Sequence, residues 1–328
     1  MTTRHISLET IRDAASCVYK AAIRTPLVRL HLPRTAGGPS DEPEIFLKLE
    51  TLQPVGSFKI RGAQNAVSHL DRRQLSQGIW TVSAGNAAQG VALAARMAGA
   101  SCSVMVMDTA PDTKLRSIER LGATIVKAPY DECWRTVEQH RSDRMHGQFV
   151  HPFDDDRFIS GNGTIGLEIV EDLPDVDAVI APLGGGGLLA GIACVLHALR
   201  PDARVYAAEP ETAAPLSVSL RAGEASRFDA WQASFVDGAG GRSVLPTMWP
   251  LLEAWVSDAV VVSLDEAAQA MRLVADRVHV IAEGAAACAV AAALSHAFQK
   301  RGHRKVVAVV SGGNIDLGRF AALVGACG

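Results

Sequence analysis

The stretch "AVIAPLGGGGLLAG" (178–191) decides the fold class, because a short apolar run leads through four glycines into a helix-like segment. Seven further strand-like runs lie at 44–49, 78–84, 102–107, 123–128, 204–209, 259–264 and 305–311, and helix-like stretches separate most of them. This alternation predicts an α/β fold with a largely parallel, doubly wound sheet covered on both faces. Ligands bind such a sheet where loops leave the carboxyl ends of its strands, so those loops are the expected functional region.

Size and composition narrow the class of protein. The 328 residues are 48% hydrophobic, which is enough for a large core in two domains or in one large α/β domain. The formal net charge of −3 argues against a nucleic-acid or membrane-surface partner, and no apolar run is long enough to span a membrane. Six scattered cysteines without a CxxC pair, and an N-terminus without a secretion signal, predict a cytoplasmic protein with reduced thiols.

The glycine loop at 184–187 is the clearest anion-binding candidate. Its glycines expose backbone N–H groups, and the positive end of the following helix dipole points at the loop, which favours a phosphate. A dinucleotide fingerprint is the open alternative, because Gly185, Gly187 and Ala190 fit G-x-G-x-x-A and Glu209 ends the next strand. A Walker A loop is excluded, since no Lys-Ser/Thr pair follows the glycines.

Three more loops follow predicted strands and are expected to open toward the same edge of a parallel sheet. They are the segment around Lys59 in "LQPVGSFKIRGAQNAV" (52–67), "SAGNAAQG" (83–90) and "SGGNID" (311–316). Ser83, Asn86 and the free N–H groups at a helix start suit a carboxylate or a phenolic oxygen, with an ordinary helix cap as the alternative. Ser311 offers a hydrogen bond and no charge. The four loops are thus expected to share one ligand.

Lys59 discriminates between the possible ligands. A lysine in an apolar segment is costly unless it is paired, neutralised or used chemically. A dinucleotide needs no such lysine, whereas pyridoxal 5'-phosphate (PLP) needs a Schiff-base lysine, a phosphate cradle and a partner for its ring nitrogen. Lys59, Gly184–Gly187 and Ser311 offer these three groups. A surface lysine at a helix start is the remaining alternative for Lys59.

The order of these motifs resembles the fold-type II PLP enzymes, in their threonine/serine dehydratase and serine racemase branch. The similarity covers nearly the whole chain and rests on "TPL" (25–27), "LKLETLQPVGSFKIRGA" (47–63), "SAGNAAQG", "PLGGGGLLAG" (182–191) and "VVSGGN" (309–314). The resemblance implies two doubly wound domains, a large PLP-binding one from 1–78 plus 151–328 and a small mobile one from 79–150. It also implies a homodimer or a higher homo-oligomer.

The resemblance also gives individual residues a role. Lys59 would be the Schiff-base lysine and the base that removes the Cα proton, and Ser83 would be the second catalytic residue. Ser83, Gly85 and Ala87 would hold the substrate carboxylate. Phe58 would pack beside the cofactor ring, Asn86 would bind its phenolic oxygen, and Ser311 would face its pyridine nitrogen. Backbone N–H groups would hold the phosphate at Gly184, Gly185, Gly186, Gly187 and Leu188.

Three positions depart from the family pattern. Ala87 replaces a usual histidine, a change that bears on the shape of the substrate. Ala84 stands where racemases often carry a serine as the acid/base of the second face, so elimination is expected over racemisation. Pro215 stands where cation-binding racemases place a second acid after "AAEP", so no metal site is expected.

The sequence therefore predicts a PLP-dependent ammonia-lyase that acts on a small-molecule amino acid. Threonine, serine or a related 3-hydroxy amino acid would be converted by β-elimination into a 2-oxo acid and ammonia. An amino-acid racemase or a β-replacement enzyme of the same fold is the nearest alternative. An NAD-binding oxidoreductase and a catalytically silent PLP-binding protein are more remote ones.

Overall fold

The computed structural model describes residues 4–32 and 43–326, and the strands of these ranges form two separate sheets. Their order is β1-β2-β10-β7-β8-β9 in the six-stranded sheet and β5-β4-β3-β6 in the four-stranded sheet. The pairings within the two sheets are parallel, except that β1 runs antiparallel to β2. The α/β prediction is thus confirmed. The strands are β1 (Leu27–Arg29), β2 (Glu44–Leu49), β3 (Ile79–Val82), β4 (Cys102–Met107), β5 (Thr124–Ala128), β6 (Gln148–Phe149), β7 (Ala178–Pro182), β8 (Arg204–Pro210), β9 (Asp258–Val262) and β10 (Lys305–Val310).

Helices cover the sheets, and α8 and α12 are among those buried along most of their length. The sequences of α8 and α12 are apolar on nearly all sides, which is the pattern of a helix inside a core. No helix in the described ranges is both long and apolar enough to cross a membrane. The helices are α1 (Leu8–Val18), α2 (Lys59–Ser68), α3 (Arg72–Ser76), α4 (Asn86–Met97), α5 (Asp112–Glu119), α6 (Tyr130–Gln139), α7 (Asp156–Asp172), α8 (Gly187–Leu199), α9 (Pro215–Ala222), α10 (Trp249–Trp255), α11 (Leu264–Val278), α12 (Gly284–Leu294), α13 (His296–Gln299) and α14 (Leu317–Gly325).

The four candidate loops follow strands of two different sheets. The expectation that all four open toward one edge of a single sheet is therefore wrong. The Lys59 segment, the glycine loop and "SGGNID" follow β2, β7 and β10 of the six-stranded sheet. "SAGNAAQG" follows β3, which pairs with β4 and β6 of the smaller sheet. All four loops nevertheless leave the carboxyl ends of strands, and the contacts described below bring them together.

A close approach of two helices brings the Lys59 segment next to "SAGNAAQG". A Cβ atom added at Gly90 in α4 would lie 3.0 Å from the carbonyl carbon and oxygen of Lys59, which begins α2. Only a glycine allows the backbones of α2 and α4 to come this close. The glycine at the end of "SAGNAAQG" therefore fixes the position of that motif relative to Lys59.

A buried ionic network holds α2 in place from the other side. The Arg61 guanidinium is fully buried and donates to Glu50 at 2.8 Å and to Glu168 at 2.6 Å. Lys48 on β2 also pairs with Glu168 at 2.6 Å. Buried charges of this kind persist only where every partner is present. Arg61 lies two residues after Lys59, so the network ties the start of α2 to β2 and α7.

Candidate active site

Lys59 is an amine in a largely apolar cleft and has no ion pair among residues 4–32 and 43–326. Its Nζ donates to the carbonyl of Pro152 at 2.7 Å and lies 5.1 Å and 5.4 Å from the ring centroids of Phe58 and Phe158. Burial lowers the pKa of Lys59 to about 8, and the negative charge of Glu283 opposes this shift. The amine is therefore much easier to deprotonate than an ordinary lysine.

Lys48 provides the contrast, because it is fully buried and yet locked in an ion pair. Its Nζ donates to Glu168 and to the carbonyl of Thr25, both at 2.6 Å. These partners occupy the Lys48 amine. Of Lys48 and Lys59, only Lys59 therefore has an amine that is open to chemistry.

The loop after β10 lies directly against the segment that precedes Lys59. The Phe58 N–H donates to the carbonyl of Ser311 at 3.0 Å, and Ser57 forms an isolated antiparallel bridge with Gly312. Ser311 is 1% exposed. The Ser57 hydroxyl is buried with no hydrogen-bond partner in the described part of the chain, so a polar group here is left for a ligand.

Asn86 joins the same site through its side-chain amide. Its Nδ2 donates to Glu283 at 2.7 Å, and its Oδ1 accepts from Asn314 Nδ2 at 2.8 Å. These two bonds fix the orientation of the amide and leave one N–H for a further acceptor. The structure thus places Asn86 beside the "SGGN" loop.

The first turn of α4 has no side-chain cap. Gly85 is the N-cap residue and makes no side-chain cap, and a Cβ added there would meet nothing within 4 Å. Ser83 does not cap the helix, because its hydroxyl accepts from the Gly85 N–H at 3.1 Å. Ala87 is buried. The first N–H groups of α4 can therefore bind an anion, and the helix-cap interpretation of Ser83 is not supported.

The glycine loop is packed so closely that side chains would not fit. A Cβ at Gly185 would lie 2.0 Å from the ring of Phe153, and one at Gly184 would lie 2.5 Å from the carbonyl oxygen of Gly238. Gly186 has a φ of +91°, and no side chain caps α8, which starts at Gly187. The backbone N–H groups through Leu188 are thus available to an anion. Because Phe153 follows Pro152, this loop also lies near the Lys59 amine.

Glu209 is not available for a ligand. Its two carboxylate oxygens accept from the N–H groups of Leu216 and Ser217, each at 2.8 Å. Burial raises the pKa of Glu209 to about 7, against the effect of these two bonds. The carboxylate caps the start of α9, so it neither reads a ribose nor coordinates a cation.

Glu283 is a candidate functional residue that the sequence did not reveal. Its N–H donates to the carbonyl of Gly312 at 3.0 Å, and its Oε1 would be 2.7 Å from a Cβ at Gly312. Burial raises the pKa of Glu283 to about 7, and the Asn86 hydrogen bond opposes the rise. An acid with a raised pKa next to a lysine with a lowered one is typical of proton-transfer sites.

Within residues 4–32 and 43–326, one group of possible metal ligands is found, at His140, His151 and Asp154. The His151 Nδ1 accepts from the Asp154 N–H at 2.6 Å, and its Nε2 lies 3.1 Å from the carbonyl of Val137. Asp154 is bound by Arg4 and by the Thr247 hydroxyl. Both ring nitrogens of His151 and the carboxylate of Asp154 therefore already have protein partners, and we assign no metal here.

The residues present fit PLP on four independent points. Lys59 is an amine of low pKa, the start of α8 offers uncapped N–H groups, and Ser57 contributes a buried hydroxyl that no described residue partners. Ser311 is a neutral side chain in the loop that packs against Phe58. These groups suit an aldehyde, a phosphate and a weakly basic ring nitrogen.

Comparison with known proteins agrees with this chemistry. Residues 18–312 match the family described as pyridoxal-phosphate dependent enzyme. The chain is 37% identical to an L-threonine ammonia-lyase of Thermotoga maritima, over 97% of this chain and 78% of that protein. It is 33% identical to a serine racemase of Dictyostelium discoideum, over 97% of this chain and 98% of that protein.

A solved structure shares the whole fold. The processed form of threonine deaminase isoform 2 from Solanum lycopersicum has a TM-score of 0.86 and 30% sequence identity to this chain. The match covers 100% of this chain and 97% of that chain.

Proposed function

The chain belongs to the family of pyridoxal-phosphate-dependent enzymes, and we propose that it is an ammonia-lyase that converts a 2-amino-3-hydroxy acid into a 2-oxo acid and ammonia. The observation that carries this proposal is the Lys59 amine, which has a pKa of about 8, makes no ion pair with a described residue and lies near the buried acid Glu283. The chain resembles proteins named threonine ammonia-lyase and threonine deaminase, and the activities in these names support elimination.

We propose the cofactor contacts that the family resemblance implies. When bound, PLP supplies an electron sink that acidifies the Cα proton of an amino acid. Lys59 would hold its aldehyde carbon, Phe58 would pack beside the ring, and Asn86 would donate to the phenolic oxygen. Ser311 would face the ring nitrogen, where a neutral hydroxyl cannot hold a full positive charge. The phosphate would be held by backbone N–H groups at Gly184, Gly185, Gly186, Gly187 and Leu188.

Two residues move protons in this proposal. The Lys59 Nζ removes the Cα proton, and its lowered pKa leaves part of the amine neutral near pH 7, unlike a lysine with the usual pKa near 10.4. Glu283 keeps a proton near neutral pH and is the second proton carrier. Loss of the Cα proton and of the β-hydroxyl as water leaves an enamine, which hydrolyses to the 2-oxo acid and ammonia.

Substrate orientation is assigned to the loop before α4. Ser83, Gly85 and the N–H group of Ala87 would hold the α-carboxylate, and Ser83 would be the catalytic hydroxyl on that side. Its neighbour Ala84 has no exchangeable proton to give to the second face of Cα. Elimination is therefore favoured over racemisation, although a serine racemase is among the relatives.

The test uses the holoenzyme with L-threonine and L-serine in heavy water. The proposal expects 2-oxo acid to form faster than the D-amino acid, and expects no product from Lys59→Ala. Equal rates of D-amino acid and 2-oxo acid would favour the racemase. A new amino acid formed from serine and an added nucleophile would favour β-replacement.

We also propose the domain division, the assembly and the location that the family resemblance implies. Residues 79–150 contain the four-stranded sheet, which supports a small domain that moves against the rest of the chain. Hydrogen exchange with and without substrate tests that motion. A homodimer or higher homo-oligomer is tested by light scattering. A cytoplasmic location is supported by buried thiols of raised pKa at Cys102, Cys133, Cys194 and Cys288, and fractionation of the source cells tests it.

A further inference from the structure

Arg242 is an arginine beside the active site that has no anionic partner among residues 4–32 and 43–326. Its guanidinium carbon lies 4.0 Å from the ring centroid of Trp231 and 4.6 Å from that of Tyr130. Its Nε is buried and has no hydrogen-bond partner in those ranges. Two rings thus cover the guanidinium of this partly buried residue, and its buried Nε–H lacks an acceptor within those ranges.

The surroundings of the glycines that precede Arg242 show where this residue lies. A Cβ at Gly241 would lie 3.6 Å from the carbonyl oxygen of Gly184, so this loop runs beside the glycine loop. A Cβ at Gly238 would lie 3.6 Å from the Glu283 carboxylate. The segment 238–241 therefore lies between the glycine loop and Glu283, and Arg242 is the first side chain beyond it.

Tyr130 brings the other side of the site to Arg242. It begins α6, directly after β5, at the carboxyl edge of the four-stranded sheet. The loop that starts at Ser83 leaves the same edge after β3, because β3, β4 and β5 are parallel. Arg242 thus bridges the glycine-loop side of the site and the sheet edge that carries Ser83.

Two features hold the arginine in place. The Trp231 Nε1 donates to the carbonyl of Gly240 at 2.9 Å, and the carbonyl of Arg242 accepts from the Phe228 N–H at 2.8 Å. A planar guanidinium fixed between rings is pre-organised for two parallel hydrogen bonds to a carboxylate. Burying the Nε–H without an acceptor is costly, so the arrangement indicates that a ligand provides one.

We propose that Arg242 binds a second carboxylate on the side chain of the substrate, so that the enzyme prefers a 2-amino-3-hydroxy dicarboxylic acid. This inference rests on the proposed lyase function, which leaves the substrate side chain open. The other two anionic groups already have assigned sites, the cofactor phosphate at 184–188 and the α-carboxylate at the Ser83 loop. Arg242 would be a third anion site, and it would therefore select a substrate that carries a carboxylate on its side chain.

The reaction balances without another reactant. The Cα–H bond and the Cβ–O bond break, and the proton and the hydroxyl leave as water. Water then adds across the resulting imine, so a 2-oxo dicarboxylic acid and ammonia are released. Elimination itself does not use the second carboxylate, which only positions the substrate.

The test compares kcat/KM of the holoenzyme for threo-3-hydroxyaspartate and for L-threonine. Wild type is expected to prefer threo-3-hydroxyaspartate, and Arg242→Gln is expected to lower the ratio of the two values by about 10- to 100-fold, the range of a charge-assisted hydrogen bond. Arg242→Lys keeps the charge without the planar fork and should give an intermediate ratio. Arg12→Gln is the control, because Arg12 is an exposed arginine on α1.

A binding measurement does not depend on turnover. Succinate and butyrate are titrated into the holoenzyme by calorimetry, and wild type should bind succinate more tightly while Arg242→Gln loses that preference. An unchanged ratio and an unchanged succinate preference in Arg242→Gln would overturn the proposal. Loss of PLP from Arg242→Gln would instead assign the arginine to the phosphate and overturn it too. If wild type releases no 2-oxo acid from any substrate, the lyase function fails, and the succinate preference still decides the role of Arg242.

Discussion

A methyl group at Gly185 is the sharpest test of the phosphate cradle. In Gly185→Ala the new carbon would lie 2.0 Å from the ring of Phe153, whereas carbon atoms in contact are normally about 3.5–4.0 Å apart. The ring or the loop must therefore move by about 1.5 Å. The ring is held edge-on by His151, with 4.6 Å between the two centroids, so the loop is expected to give way.

The magnitude follows from the hydrogen bonds that this shift would break. Moving an N–H donor by about 1.5 Å takes it beyond the usual length of a hydrogen bond. Each bond from a backbone N–H to a charged group contributes about 1.5–3 kcal/mol, so the loss of two weakens PLP binding by about 3–6 kcal/mol. This corresponds to an increase of about 10²- to 10⁴-fold in the dissociation constant.

The assay is titration of the apoenzyme with PLP, followed by visible absorbance. Gly325→Ala is the control, because a Cβ there meets nothing within 4 Å. The double variant Gly185→Ala/Phe153→Ala removes the clash and should recover most of the lost affinity. Wild-type PLP affinity in Gly185→Ala would refute the cradle, and a double variant no better than the single one would refute the steric argument.

Changes of charge and of proton donors test other parts of the account. Because burial raises the pKa of Glu283 from 4.5 to about 7, the folded protein keeps this proton while the unfolded chain loses it, so stability falls as pH rises between these values. In urea unfolding from pH 5 to pH 8, the free energy of unfolding of Glu283→Gln should fall by up to about 3 kcal/mol less than that of wild type. A difference between the two proteins that stays constant with pH would contradict the raised pKa. Ala84→Ser should raise D-serine formation relative to pyruvate from L-serine in heavy water, and an unchanged ratio would mean that residue 84 does not reach Cα. Arg61→Met leaves two buried carboxylates without their guanidinium and should lower the free energy of unfolding by about 3–5 kcal/mol, whereas an unchanged urea midpoint would refute the network.

Most of the strands were predictable because their side chains are buried on both faces. Strands such as β7 and β10 read as unbroken apolar runs, which a buried parallel strand requires. β1 and β6 were not predicted, because they have three and two residues and are too short to show a period. Their pairing depends on neighbouring strands and leaves no local pattern.

The site was predictable only where glycines or a lysine interrupt an apolar run. Glu283 stands before an alanine-rich helix, and its importance comes from contacts with Asn86 and Gly312, which are distant in the chain. Arg242 likewise gains its role from Tyr130 and Trp231. Sequence spacing does not encode such contacts, because they arise where separate elements meet.

The most direct test of the central claim is to locate the lysine that binds the cofactor. Borohydride reduction of the holoenzyme fixes PLP to that lysine, and mass spectrometry of the peptides then identifies it. We predict that the label lies on Lys59, because its partly buried amine makes no ion pair with a described residue and has a pKa of about 8. A label on Lys48, Lys114 or Lys127, or a holoenzyme that carries no label after reduction, would contradict the account.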